Sequence, residues 1–429
     1  MREIIQQKPH SDRLRIAVVG AGISGISAAW YLSKKHSVTL FEKEIRLGGH
    51  THTVTIPSGP DKGTPVDTGF IVLNDETYTN FKRFLRELGV GTRVSTMSFS
   101  YLNQQSGFHY GGNTFNGLFS QRKNLINPSY YAFLAEVVRF NQLATKALES
   151  QSFANETIED FVLKNKLSRR FLADYLIPLT AAVWSTPPEK SLEFPAETLV
   201  RFFANHGILR LLNRPTWRTV VGGSSAYVKA FEEQFNGFIR LGEAPTGISR
   251  GELPTLHFPN GEQEAFDRVV IATHADQALQ LLQDPTELEQ QLLLKWQYTR
   301  NETVLHTDAT VMPPHRRAWC SWNFHQENES NHPHLSMTYH MNTLQGLKTK
   351  HDYFVTLNRA KPYKEKTVVK RLMYTHPKYD FDSYATQRDL PQLNGPQGTY
   401  FCGSYHGYGF HEDGITAALN VARAFGIHP

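Results

Sequence analysis

The chain has 429 residues, of which 40% are apolar and 20% charged, a composition that suits a folded globular protein and argues against a coiled coil, a collagen-like repeat or disorder. Its 45 basic and 40 acidic residues are interspersed rather than gathered into runs, so the net charge of +5 disfavours nucleic-acid binding while leaving a mild attraction for anionic lipid headgroups. Cys320 and Cys402 form no CxxC pair, which leaves structural zinc and a disulfide framework without support, and no stretch nears the roughly 18 to 20 apolar residues of a membrane span.

A chain this long predicts two domains sharing a cleft. The amino-terminal segment MREIIQQKPHSDRLR lacks an apolar leader core, so a cytoplasmic protein is expected, soluble or peripheral at the inner face of the membrane. RIAVVG at 15–20 is a short apolar run of the kind that becomes a buried parallel strand. Gly20, Gly22 and Gly25 follow, then the helical ISAAWYLSKK, then SVTLFEK, a second strand that ends at Glu42, 22 positions beyond Gly20. Strand, GxGxxG, helix and acid at this spacing predict a dinucleotide-binding βαβ unit. In it Gly20 makes the turn, Gly22 lets a pyrophosphate reach bare backbone, Gly25 lets helix and strand pack closely, and Glu42 accepts from ribose hydroxyls.

Further along, residues 128–150 form an amphipathic helix, and 199–218 combines a bulky apolar surface with Arg201, Arg210, Arg214 and Arg218. This pairing suits either the cover of a substrate domain or an entrance lying on a membrane. FIRLGEAPTGISR and DRVVIATHADQAL return as strands, the second closing at Ala272 and Thr273. His332, His334 and His340 share strand parity without a Cys or acidic set beside them, so no metal site is expected. Near the carboxy terminus, TYFCGSYHGYGFHEDGITAALNVARAF reads as a strand ending at Gly403, a glycine-rich loop and a helix beginning near Gly414.

EKEIRLGGHTHT, PVDTGFIVL, the two returning strands and the carboxy-terminal segment together resemble the flavin amine oxidase superfamily, which includes phytoene-desaturase-like and protoporphyrinogen-oxidase-like enzymes. SLEFPAETLVRFFANHGIL, RTVVGGSSAYVKAF, MTYHMNTLQGL and CGSYHGYGFHEDG are similar to a bacterial group of FAD-dependent oxidoreductases associated with enzymes that methylate or cyclopropanate unsaturated acyl chains. The resemblance runs from about residue 13 to the end. It implies an α/β fold: a Rossmann-like, glutathione-reductase-like FAD domain at 13–90, 215–275 and 396–429, with an inserted α+β substrate domain at 91–214 and 276–395.

The implied cofactor is FAD. Its contacts are expected at Gly20, Gly22, Ile23, Ser24, Gly25, Glu42, Lys43, Arg46, Gly48, Gly49, His50, Thr68, Gly69, Phe70, Pro245, Thr273, Gly403, Ser404, Asp413, Gly414 and Ile415. His50 stands where the superfamily pattern has Arg, with Arg46 close by, and Pro245 stands where Val is common and offers a carbonyl but no N–H. The free amides of the last helix would face the flavin N1–C2=O edge. His406 and His411 are candidate bases, with Glu412 or Tyr408 orienting them. The resemblance implies desaturation or dehydrogenation of an unsaturated, methyl-branched or cyclopropane acyl chain. Double-bond isomerisation, amine oxidation and a non-catalytic partnership with a lipid methyltransferase or cyclopropane synthase remain as alternatives.

Overall fold

The computed structural model of the protein describes residues 13–153, 156–184, 192–210, 212–329 and 332–428. Its chain separates into two compact units: Met1–Gly49 with Val228–Trp296 and Thr386–Pro429, and His50–Tyr227 with Gln297–Ala385.

The first unit is organised by a five-stranded parallel sheet in the order Phe238–Leu241, Ser37–Glu42, Arg15–Val19, Arg268–Ile271, Thr399–Phe401. Ile16, Ala17 and Val18 are fully buried, as a central strand covered on both faces requires. The chain enters and leaves this sheet three times. The central strands are therefore contributed by residues more than 200 positions apart, as in the Ile16↔Arg268 pair. A three-stranded antiparallel sheet, Gly247–Arg250, Pro254–His257 and Gln263–Ala265, completes the unit's β structure. At its edge the fully buried Arg250 side chain pairs with Asp284 and Glu289.

The second unit is built on a seven-stranded sheet ordered Val368–Lys378, Gln297–His306, Phe354–Leu357, His332–His340, Trp322–Glu329, Phe99–Asn103, His109–Gly111. Alternation along these strands sorts the side chains between its faces. One face carries Leu305, Val355 and Leu357 beside Met341 and Ile71, and continues through Met337, Phe324, Tyr101 and Tyr110 to Tyr130 and Phe133 of helix Pro128–Glu149. The other is mixed: Val304 and Phe354 pack with Val311, Met312 and Tyr363, while Thr338 Oγ1 lies 2.8 Å from Thr356 Oγ1 and Ser100 Oγ donates to Asn323 Oδ1 at 2.7 Å.

Several expected boundaries move. Residues 50–90 and 215–227 belong to the second unit, because Leu73–Asn74 and Thr92–Ser95 both pair with Trp217–Val220. Conversely, 276–296 and 386–395 pack with the first. The 199–218 segment is not one helix: Ala196–Asn205 is helical, and the chain then turns at Gly207 (φ +68°) into strand Trp217–Val220. Three of its four arginines are spent on acids, Arg201 on Glu197, Arg210 on Glu76 and Arg218 on Asp75, while Arg214 donates to the Arg210 carbonyl. Such pairing removes the free positive face that a membrane entrance there requires.

Candidate dinucleotide and redox site

The strand Arg15–Val19 ends in a turn whose first residue, Gly20, takes φ +99°, a conformation that side-chain-bearing residues avoid. Helix Ile23–Leu32 starts at once, with Gly22 at its N-cap and no side chain capping its amides or acid in its first turn. A Cβ on Gly25 would lie 1.7 Å from the Gly20 carbonyl oxygen, so the helix seats against the turn only because no Cβ exists there. A Cβ on Gly22 would meet nothing within 4 Å. Open backbone beside uncapped amides and the positive end of a helix dipole is an anion cradle. Gly48 and Gly49 close over it, Gly48 N donating to Ala21 O at 2.8 Å, with the Cβ position of Gly49 3.1 Å from the Gly22 Cα.

Glu42 lies buried at the end of its strand, one carboxylate oxygen accepting from Ala21 N at 2.8 Å and the other from Glu44 N at 3.0 Å. Each oxygen keeps a second lone pair for a hydroxyl donor. Arg46 donates to the carbonyls of Leu47 and Gly49, bracing the glycine pair, and Lys43 is exposed. The chain leaving strand Phe238–Leu241 is tied to this corner by Gly242 N to Glu44 O (3.0 Å) and Glu243 N to Glu42 O (3.1 Å), and buried Pro245 follows. Thr273 sits at the opposite side of the turn, its methyl 3.2 Å from the Cβ position of Gly20.

Helix His411–Ala424 begins three residues earlier than expected, because the Asp413 carboxylate accepts from Phe410 N at 2.9 Å and closes the first turn. Gly414 is thereby placed within that turn, where a Cβ would come 2.7 Å from Ser24 Oγ, and Ile415 is fully buried. The two helix starts, one after each glycine-rich loop, thus lie against each other. Burial raises the Asp413 carboxyl to about 7, against the pull of the Phe410 and Tyr408 amides. Gly403 has extended backbone, and Ser404 opens a single turn through His406.

His406 Nε2 is buried and has no hydrogen-bond partner, so neither Glu412 nor Tyr408 orients the ring through that atom. Burial holds this imidazole down at about 4 and keeps it neutral at neutral pH. His411 is buried inside the first turn of the last helix. The loop's shape is held by Gln387, whose Nε2 donates to the carbonyls of Tyr405 at 3.0 Å and Gly407 at 2.5 Å. Sequence pattern offers no signal for this residue.

His50, Thr68, Gly69 and Phe70 belong to the second unit. His50 Nε2 lies 3.0 Å from Thr375 O, and its ring packs on Tyr374 and His376. A Cβ on Gly69 would sit 1.9 Å from His50 O, and Phe70 N donates to that oxygen at 3.0 Å. Thr68 Oγ1 reaches His52 O (3.0 Å) and Tyr374 OH (2.9 Å). Asp67 anchors the segment from below: its Oδ1 takes Thr53 Oγ1 (2.6 Å), Ser224 N (2.8 Å) and Ser224 Oγ (2.9 Å), while Oδ2 is buried without a partner. Burial lifts this carboxyl to about 6. Two of the histidines considered for metal make other bonds, His334 to Asn358 O and His340 to Asp352 at 3.0 Å, and the His332 side chain lies outside the described residues. Among the described residues no group of three or more His, Cys, Asp or Glu could hold a metal ion.

A parallel sheet with an uncapped helix start at its first turn, a buried acid at the end of the second strand and a second helix start beside the first suit a dinucleotide. The chain belongs to the family of flavin containing amine oxidoreductases, whose profile matches residues 23–316. It is an FAD-dependent oxidoreductase, and the open cradle at Gly22 and the buried Glu42 fit that cofactor. Prenylcysteine oxidase 1 of Mus musculus is 35% identical over 89 residues, a segment that spans 20% of this chain and only 16% of the relative's length. Among solved structures, cyclohexylamine oxidase from Brevibacterium oxydans is similar with a TM-score of 0.69 at 15% identity, covering 96% of this chain and 98% of that one. The CLA-producing fatty acid isomerase from P. acnes is similar with a TM-score of 0.66 at 14% identity, covering 97% and 100%. No helix among the described residues is long and apolar enough to cross a membrane.

Proposed function

We propose that the enzyme oxidises a hydrophobic substrate, an unsaturated, methyl-branched or cyclopropane acyl chain of a lipid, by dehydrogenation. The observation that carries this is the apolar face of the seven-stranded sheet, which runs unbroken from Leu305 to Tyr110 and leaves Trp322 and Tyr339 half-buried where its two clusters meet. Its half-buried Trp322 and Tyr339 offer dispersion contacts to a methylene chain, and the carboxylate beside Tyr101, that of Asp174, is already paired with Arg170. The names of the prenylcysteine oxidase relative and the fatty acid isomerase neighbour point the same way.

Bound FAD supplies two-electron hydride chemistry. In this reading the uncapped amides of Ile23 and Ser24 would hold the pyrophosphate, Glu42 would accept from the ribose hydroxyls, and the amide end of helix His411–Ala424 would stabilise negative charge on the reduced cofactor. As one substrate C–H bond gives up hydride to the cofactor, His406 Nε2, neutral and unpartnered, would take the proton from the adjacent carbon, leaving a C=C bond. A methyltransferase or cyclopropane synthase acting on unsaturated chains is the class of enzyme that would supply such a substrate.

The test is the visible spectrum of FAD-loaded protein under anaerobic conditions, before and after adding phospholipids with monounsaturated, methyl-branched or cyclopropane chains. Bleaching with lipid and a new double bond in the product are expected. Bleaching by amines alone would overturn the substrate, and a shifted double bond without net flavin reduction would move the assignment to isomerisation.

A further inference from the structure

From residue 88 to residue 135 the chain contains no Asp or Glu. Part of this acid-free stretch folds into one surface of the second unit, at the turn before helix Pro128–Glu149. Ile126 is 87% exposed there, Phe115 69%, Tyr131 47% and Leu125 40%, a concentration of large apolar side chains that ordinary surfaces do not carry. They form a single patch. The Phe115 ring lies 4.6 Å from Phe119, Phe119 lies 5.8 Å from Tyr131, and Tyr131 OH donates to Leu125 O at 2.9 Å.

Arg122 and Lys123 rise from the middle of the patch, both exposed. Arg122 donates to Phe119 O and Asn116 Oδ1, so its charge is held in place without an acidic partner, and among the described residues no acidic side chain pairs with Lys123. Beneath, Phe119 packs on Tyr130, and the same cluster runs on to Phe324 and Met337 of the large sheet. The exposed apolar tips therefore stand on a rigid base. Apolar and aromatic tips around uncompensated cations match the headgroup boundary of an anionic bilayer.

We propose that Phe115, Leu125, Ile126 and Tyr131, with Arg122 and Lys123, dock the protein on an anionic lipid bilayer. The apolar tips enter the headgroup and acyl boundary while the two cations contact phosphates. This extends the lipid assignment to a source of substrate, and flotation with vesicles needs no turnover, so failure of docking and failure of that assignment are read separately.

The experiment is flotation of the FAD-loaded full chain with phosphatidylcholine vesicles, with and without phosphatidylglycerol. The wild type is expected to float only with phosphatidylglycerol and to lose binding as salt rises. Lys123→Ala should weaken partition about fivefold, and Ile126→Ser at least about tenfold. Leu212→Ser, which removes another apolar side chain exposed to 81%, should leave binding unchanged. An unchanged flavin spectrum and thermal midpoint show that each variant is folded. Wild type that stays with the unbound fraction overturns the proposal, as do patch variants that float like wild type or a Leu212→Ser loss of equal size. Loss of self-association in Ile126→Ser without any vesicle binding would assign the patch to a second copy of the chain instead.

Discussion

Gly22 and Gly25 stand three residues apart in one motif, yet the structure assigns them opposite sensitivities. At Gly25 an added Cβ would lie 1.7 Å from Gly20 O, where a carbon–oxygen contact needs about 3.3 Å, so the helix must retreat by more than about 1.5 Å. Gly25→Ala is expected to destabilise the cofactor-free protein by about 1 to 3 kcal/mol, the cost of an overpacked core. At Gly22 the Cβ would meet no atom within 4 Å, and the backbone there has φ −72°, so Gly22→Ala should leave cofactor-free stability within about 0.5 kcal/mol of wild type.

That same Cβ occupies the space assigned to the pyrophosphate. Losing two amide–phosphate bonds at about 1.5 kcal/mol each weakens FAD by about 3 kcal/mol, or roughly 150-fold. The assay is urea unfolding of deflavinated protein together with FAD titration followed by quenching of flavin fluorescence. FAD affinity of Gly22→Ala within about threefold of wild type would refute the cradle, since no comparable bond could then be missing. Wild-type unfolding of Gly25→Ala would refute the close helix packing.

Because burial keeps His406 neutral down to about 4, the basic form persists through the mildly acidic range, and the substrate-dependent flavin reduction rate should hold until pH approaches that value; a limb near 6.5 would show that another group is the base. His206 at about 4 and His306 and His325 at about 3 are held neutral in the same way, so below pH 6.5 the unfolded chain takes up protons that the folded one does not, and unfolding free energy should fall steeply as pH falls from about 6.5 to about 4. Asp67 carries the opposite sign: its folded carboxyl at about 6 lies above its ordinary 3.8, so its contribution is lost as pH rises between those values, and Asp67→Asn should flatten that part of the stability curve measured in urea. Asp67→Ala strips three donors of their acceptor as well and should cost about 2 to 4 kcal/mol more than Asp67→Asn, compared at one pH. Arg250→Ala leaves Glu289 buried without its cation and should lower stability by about 3 to 5 kcal/mol, seen as a reduced urea midpoint, whereas a loss below about 1 kcal/mol would mean that the pair is solvated.

What the sequence determined by itself is what a contiguous stretch of backbone can encode. GAGISG sets a turn, an uncapped helix start and a close helix contact within six residues, and Glu42 ends the next strand in that same local unit. The first two strands of the parallel sheet, a dinucleotide site and the loop before the last helix were legible for this reason, and the family resemblance supplied FAD. The start of that helix was misplaced because Gly414 looked like a boundary, when the Asp413 carboxylate had already closed the turn at Phe410.

Tertiary structure alone decided the rest. Asp67 meets Ser224 across 157 positions, and Gln387 reaches forward to a loop 18 to 20 residues on. Two of the arginines of 199–218, Arg210 and Arg218, are paired with Glu76 and Asp75 from a distant turn. Protonation state is equally non-local: His406 is an ordinary histidine in the sequence, and only the burial of its Nε2 lowers its pKa. Turns and caps depend on the few residues that form them, whereas burial, ion pairing and pKa depend on whatever the whole fold brings alongside.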